Sequence, residues 1–183
     1  MKKLSILGST GSIGINTLNV IDNLGDEFDV SVLSANKNGN LLVEQAKNYR
    51  PDAVAIIDDE AGQFVKSELK DLGITVFQGR EGLLDLASRN DVDIMLNGLV
   101  GSSGMAPTLN AVKAGVDVAL SNKESLVMAG DIIDREKLKS EAQVFPVDSE
   151  HSAIWQCLVG ESMDDVEQII LTGSGGPFRT RDL

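Results

Sequence analysis

The chain is 183 residues long, enough for one sizeable hydrophobic core and short for two full domains. Hydrophobic residues make up 42% and charged residues 24%, which excludes a disordered chain. With 16 basic against 28 acidic residues the net charge is −12, the wrong sign for wrapping a nucleic acid or coating an anionic membrane, so any phosphate must be caught locally.

Reading from the start, MKKLSILG turns to glycine too soon for a signal-peptide core, and no apolar run approaches the length of a membrane span. The single cysteine, Cys157, has no intrachain partner and sits in the apolar-patterned AIWQCLV, where a buried structural thiol is expected. These features predict a protein of the reducing cytoplasm.

Strand-like runs then alternate with amphipathic segments. LSIL, VSVLSA, AVAII, ITVF, DIMLNGL, VDVALS, QVFPV and VEQIILT read as strands; INTLNVIDNL, LLVEQAKNY, AGQFVKSELKDL, LLDLAS, APTLNAVKAG and IIDREKLKSEA read as helices. The strands before position 121 show little polar alternation, as both-face burial requires. The pattern predicts an α/β fold: a doubly wound, mostly parallel, Rossmann-like sheet with helices on both faces. Acidic clusters such as Asp58-Asp59-Glu60 and Asp164-Asp165 read as solvated helix starts.

The first βα junction is LGSTGSIG (7–14), with glycines at 8, 11 and 14. Strand before and helix after supply the context of a dinucleotide loop: Gly8 for the turn, Gly11 for backbone approach to a pyrophosphate, Gly14 for close helix packing. Free N–H groups at the helix start, with hydroxyls of Ser9, Thr10 and Ser12, then face an anion. After the second strand, where an NAD site places an acidic residue for the ribose 2′-OH, the chain reads Ser34-Ala35-Asn36-Lys37-Asn38. A cation and amides without a carboxylate predict a 2′-phosphate, hence NADPH.

The second half carries three further motifs. SNKES (121–125) brings Asn122, Lys123 and Glu124 to the carboxyl end of a strand, the ligand edge of a doubly wound sheet. PVDSEHSAIW (146–155) places Asp148 and Glu150 two apart, either converging on one hard cation or serving a helix N-terminus, with His151 a minor candidate beside them. TGSGGPF (172–178) suits backbone and Ser174 contacts with an anion, and a plain turn explains it almost as well.

In this order, GSTGSIG, LSNKESLVMAG, PVDSEHSAIWQ and LTGSGGPFR resemble the 1-deoxy-D-xylulose 5-phosphate reductoisomerases. The resemblance implies a cytoplasmic enzyme that rearranges 1-deoxy-D-xylulose 5-phosphate and reduces it to 2-C-methyl-D-erythritol 4-phosphate in non-mevalonate isoprenoid synthesis. It uses NADPH and Mg²⁺ or Mn²⁺ and is a homodimer when complete. Carried over by position, Thr10, Gly11, Ser12 and Ile13 would hold the pyrophosphate region. Asn36, Lys37 and Asn38 would lie at the 2′-phosphate end, although Asn36 stands where the family often has glycine. Asn122 and Glu124 would also touch NADPH. Lys123, Ser149, Glu150 and Ser174 would contact the sugar phosphate, with Asp148 and Glu150 on the metal.

The family continues beyond a point equivalent to Leu183, through a histidine-bearing loop, a phosphate-binding segment, a further metal-binding glutamate and a helical domain. The resemblance therefore implies a cofactor domain over 1–146, the start of a catalytic domain over 147–183, and no complete catalytic apparatus in this chain alone. Two other readings remain open. One is an NADP-binding sensor or assembly domain; the other is a semialdehyde-type dehydrogenase, which requires an activated cysteine that Cys157 poorly supplies.

Overall fold

Four of the six residues of β1 (Lys2–Leu7) are buried, because this first strand ends up at the centre of the sheet. In the computed structural model, which describes residues 1–171, β1 pairs in parallel with β2 (Phe28–Ala35) on one side and β5 (Ile94–Asn97) on the other. With β3 (Ala53–Ile56), β4 (Thr75–Gln78), β6 (Asp117–Leu120) and β7 (Val144–Pro146) the sheet has seven strands in the order β4-β3-β2-β1-β5-β6-β7. Every pairing is parallel, so the expected doubly wound sheet is what forms.

Parallel neighbours require crossovers, and helices supply them on both faces. Helices α1 (Ser12–Leu24), α2 (Gly39–Tyr49) and α3 (Asp59–Leu69) bury Leu18, Leu42 and Val65 against Ile6, Leu33 and Ile56. On the opposite face α4 (Gly79–Ala87), α5 (Met105–Lys113) and α6 (Lys123–Ser140) bury Leu83, Val112 and Ile133 against Leu7, Val32 and Met95. Successive residues Ile6 and Leu7 thus feed opposite cores, as the pleat dictates. Each such fully buried Leu or Ile contributes about 1.5–3 kcal/mol relative to exposure.

Some expectations change. VEQIILT does not form an eighth strand over its described residues 166–171: they are mostly exposed and find no ladder partner, so β propensity alone does not make them a strand. Cys157 is exposed, not buried, because α7 (Ser149–Leu158) has no fully buried residue among those described. The last sheet helix also starts well before IIDREKLKSEA, at Lys123, and bends at Ala129, whose φ of −142° leaves helical geometry just before Gly130. Asp58 is the N-cap of α3, accepting from Ala61 N at 3.0 Å, as a solvated helix start should. No described helix is long and apolar enough to cross a membrane.

Since the chain leaves β1 toward β2 but later returns to β1 with β5, the crevice at their carboxyl ends is the topological switch point of the sheet.

Candidate functional site

The glycine loop sits at that switch point. Gly8 has φ +82°, a backbone only glycine adopts without strain, and a Cβ on Gly14 would stand 2.4 Å from Ser9 Cα and 2.5 Å from Gly8 O. Helix α1 therefore starts pressed against the loop. Its N-cap is Gly11, which offers no side-chain acceptor, so the first-turn N–H groups carry no side-chain cap, and Gly11 itself lines the crevice. Thr10 is half-buried, Gly11 and Ser12 are exposed, and Ile13 is half-buried beside Gly98. Ser9 departs from expectation. It is fully buried, and its Oγ donates to Gln45 Oε1 at 2.7 Å, so this hydroxyl holds the loop from behind instead of facing an anion.

A cavity of about 590 Å³ opens from the loop across the carboxyl ends of β1, β2, β3 and β5, lined by Thr10, Gly11, Asn36, Ile57, Leu83 and Leu99 among others. Arg80, on the first turn of α4, also lines it, and its Nη1 donates to Ser103 O at 2.8 Å. Asn36, Lys37 and Asn38 follow β2 and are exposed. Asn38 caps α2 by accepting from Leu41 N at 3.2 Å, while Lys37 lines a separate surface hollow with Asp58, Glu60 and Phe64. Acidic residues of α3 thus share a hollow with Lys37, although the Asp58 carboxylate is engaged by the α3 N-terminus, and the Asp58 backbone N–H donates to Asn36 O at 2.9 Å.

Asn122 is buried at 1% exposure, and its amide is spent inside the fold. Nδ2 donates to Leu99 O at 2.7 Å and Gly101 O at 2.8 Å, while Oδ1 accepts from Ser125 N at 3.0 Å and from the Ser125 hydroxyl. Its side chain has no donor left for a cofactor; what it does is fix the loop after β5, which lines the cleft. Gly104 is glycine for the same reason, since a Cβ there would lie 2.6 Å from Asn122 Cγ. Glu124 is exposed on the first turn of α6.

At the β6 and β7 end, the N-termini of α6 and α7 bring Lys123, Asp148, Ser149, Glu150 and His151 together. Lys123 Nζ is 3.6 Å from Glu150 Oε2, which also accepts from Ser149 Oγ at 2.9 Å. Asp148 caps α7: Oδ2 accepts from His151 N at 3.2 Å and lies 2.6 Å from His151 Nδ1. Partial burial pushes the Asp148 carboxyl up, but the hydrogen bonds from His151 prevail and hold it below the ordinary carboxylate range. Glu150 is held low by backbone and Ser149 hydrogen bonds and by Lys123. A hollow of about 180 Å³ beside them is lined by Lys123, Asp148 and His151 over apolar Leu120, Leu126 and Pro146. Two carboxylates are suitable donors for a hard cation but fall short of a complete set, and no group of three or more metal-ligating side chains occurs among the described residues. Ser174 and the TGSGGPF segment lie outside the described residues.

The sequence model of 1-deoxy-D-xylulose 5-phosphate reductoisomerase matches residues 4–130, and that of its C-terminal domain matches 144–183. The chain belongs to the 1-deoxy-D-xylulose 5-phosphate reductoisomerase family. A curated relative of that description from Chloroherpeton thalassium is 48% identical over 98% of this chain and 46% of its own length; one from Halothermothrix orenii is 45% identical over 97% and 46%. The chain thus spans about half the length of the curated reductoisomerases it matches. Among solved structures, the reductoisomerase of Zymomonas mobilis in complex with NADPH superposes with a TM-score of 0.90 at 37% identity, covering 98% of this chain and 47% of that one. A reductoisomerase bound to NADPH, fosmidomycin and magnesium gives 0.82 at 35% identity, over 86% and 39%.

Proposed function

We propose that this chain supplies the NADPH site and part of the substrate floor of a reductoisomerase that converts 1-deoxy-D-xylulose 5-phosphate to 2-C-methyl-D-erythritol 4-phosphate. The observation that carries the reading is that both residue groups converge on one sheet edge: the glycine-loop cleft at the β1/β5 switch point, and Lys123, Asp148 and Glu150 just beyond β6 and β7. The cleft fits a dinucleotide: its volume is adequate, its helix N-terminus is free of a side-chain cap, and the space beside Gly14 admits no Cβ.

In this reading Thr10, Gly11, Ser12 and Ile13 bind the pyrophosphate, and Lys37 and Asn38, with Asn36, bind the 2′-phosphate. Asn122 acts through the loop it fixes, and Glu124 also contacts NADPH. Lys123, Ser149, Glu150 and Ser174 hold the sugar phosphate, and Asp148 and Glu150 offer oxygens to Mg²⁺ or Mn²⁺. When bound, NADPH supplies the hydride and the divalent ion supplies positive charge to the substrate oxygens. Lys123 adds its own charge at those oxygens, and the loop geometry orients the reacting carbon.

The reading assigns 1–146 to cofactor binding and 147–183 to the start of the catalytic domain, supported by the last sheet strand among the described residues ending at Pro146. It also carries a cytoplasmic, homodimeric complete enzyme. Calorimetric titration of the chain tests it: NADPH binds more tightly than NADH, whereas no binding, or equal affinities, overturns the cofactor assignment.

A further inference from the structure

Arg80 has a position that the site as described does not use. It is the one charged residue lining the 590 Å³ cleft, in a chain of net charge −12. Among the described residues no carboxylate pairs with it; its hydrogen bond is the one from Nη1 to Ser103 O at 2.8 Å. That bond ties α4 to the turn Gly101–Gly104 and holds the guanidinium over the cleft, leaving its other N–H groups and its planar face for a ligand.

The surroundings say which part of a dinucleotide would meet it. Arg80 opens α4, which packs on β3 and β4, and it shares the cleft with Asn36 at the end of β2, Ile57 after β3 and Leu83 on α4, on the β2 side of the switch point, whereas Lys123 lies on the β6 side. Ile57, Leu83 and Leu99 give the cleft apolar surface for a flat base. Lys37, in contrast, lines a different hollow, so the two cations serve different groups.

We propose that Arg80 is a cofactor-binding residue for the adenosine half of the dinucleotide, its guanidinium lying against the base while Ser103 O anchors it. The inference rests on the NADPH reading above. Because Arg80 stands apart from Lys37, it contributes equally to NADPH and NADH and has no part in choosing between them.

The test is calorimetry of NADPH, NADH and adenosine 2′,5′-bisphosphate on the unaltered chain and on Arg80→Gln, with thermal unfolding alongside. Arg80→Gln weakens all three by the same factor, about two- to thirtyfold, the range for a cation stacked on an aromatic face. A shift in melting temperature with unchanged affinities shows only a tie between α4 and the 101–104 turn and overturns the assignment. So does a loss confined to NADPH, or a loss for the dinucleotides with the bisphosphate unaffected. Failure of the unaltered chain to bind NADPH instead overturns the reading on which this one rests. A second measurement needs no variant: saturating NADPH protects Arg80 from an arginine-directed dicarbonyl, read by peptide mass spectrometry, and equal modification with and without NADPH overturns the proposal.

Discussion

Gln45 and Ser9 clasp each other at two points: Gln45 Nε2 donates to Ser9 O at 2.9 Å, and Ser9 Oγ donates to Gln45 Oε1 at 2.7 Å. Both side chains are buried, so neither bond competes with water. The clasp links α2 to the back of the glycine loop, while Ser34 reinforces it by accepting from Ser9 N through its carbonyl at 2.8 Å and from Gly8 N through Oγ at 3.0 Å. The loop that would meet the cofactor is therefore fixed before any ligand arrives.

Gln45→Leu removes that clasp and strands the buried Ser9 carbonyl, while Ser9 Oγ still reaches Ser34 O at 3.2 Å. The expected cost is about 1–3 kcal/mol of stability, read by urea unfolding, with a parallel loss of NADPH affinity because the loop N–H groups lose their fixed aim. Gln45→Glu keeps the acceptor for Ser9 Oγ but not the donor for Ser9 O, and is expected to be destabilised as well. Wild-type affinity in a folded Gln45→Leu variant would separate the clasp from the binding site.

Gly14→Ala sets two effects against each other. Alanine in a helix interior gains up to about 1 kcal/mol over glycine. Here its Cβ would lie 2.4 Å from Ser9 Cα and 2.5 Å from Gly8 O, backbone atoms that cannot swing aside, and overpacking of that kind costs about 1–3 kcal/mol. The clash wins: the variant unfolds at lower urea, and NADPH binding falls because the loop must move off α1. An unchanged midpoint and unchanged affinity would mean that the loop tolerates the shift.

What the sequence disclosed follows from what each signal depends on. Apolar runs of strand length separated by amphipathic segments depend on burial alone, and they gave β1 to β7 and the helices on both faces. VEQIILT failed because a strand also needs a neighbour, which propensity does not report. The glycine loop was legible because its spacing encodes backbone geometry, yet Ser9 and Thr10, adjacent hydroxyls, could not be told apart until Ser9 was seen buried against Gln45. Arg80 is not legible, because an arginine in GREGL reads as a surface charge; only the fold places it in one cleft with Asn36 and Ile57. Asn122 was found by its motif, but whether its amide faces a ligand or the loop depends on the Leu99 and Gly101 carbonyls.

Lys37→Ala tests cofactor choice. Loss of a charge-assisted contact with the 2′-phosphate is expected to weaken NADPH by roughly ten- to a hundredfold, with NADH little changed. Calorimetry of both cofactors gives the ratio. A ratio that stays at its wild-type value would exclude Lys37 from the 2′-phosphate end.

Tyr49, the single tyrosine, offers a clean optical titration. Burial pushes its phenol up, and the hydrogen bond to Asp22, 2.9 Å from both carboxylate oxygens, pushes further, to about 12. A raised folded-state value favours the protonated form, so this stabilising contribution is fully present below the ordinary phenol value near 10 and is lost as pH rises toward 12. Absorbance of the phenolate should stay low at about pH 11 in the folded chain. Asp22→Asn should bring the midpoint down; the same midpoint in both chains would remove Asp22 as a cause.

Asp148 is where the helix-cap and metal readings meet, because its carboxylate already accepts from His151 N at the start of α7. Asparagine caps a helix about as well as aspartate, so Asp148→Asn should leave the melting temperature nearly unchanged, whereas Asp148→Ala should cost about 0.5–2 kcal/mol. A hard cation does not distinguish the two variants: it needs the charge, which both remove. In a reductoisomerase of the relatives' length carrying these residues, Mn²⁺ binding followed by electron paramagnetic resonance should fall in both Asp148 variants and in Glu150→Gln. Turnover against Mg²⁺ or Mn²⁺ concentration should show the same loss. Melting temperature then divides the two roles, with Asp148→Asn intact in fold and impaired in metal binding. Full Mn²⁺ affinity in Asp148→Asn would leave Asp148 as a helix cap alone and take with it the assignment of the pair to the metal.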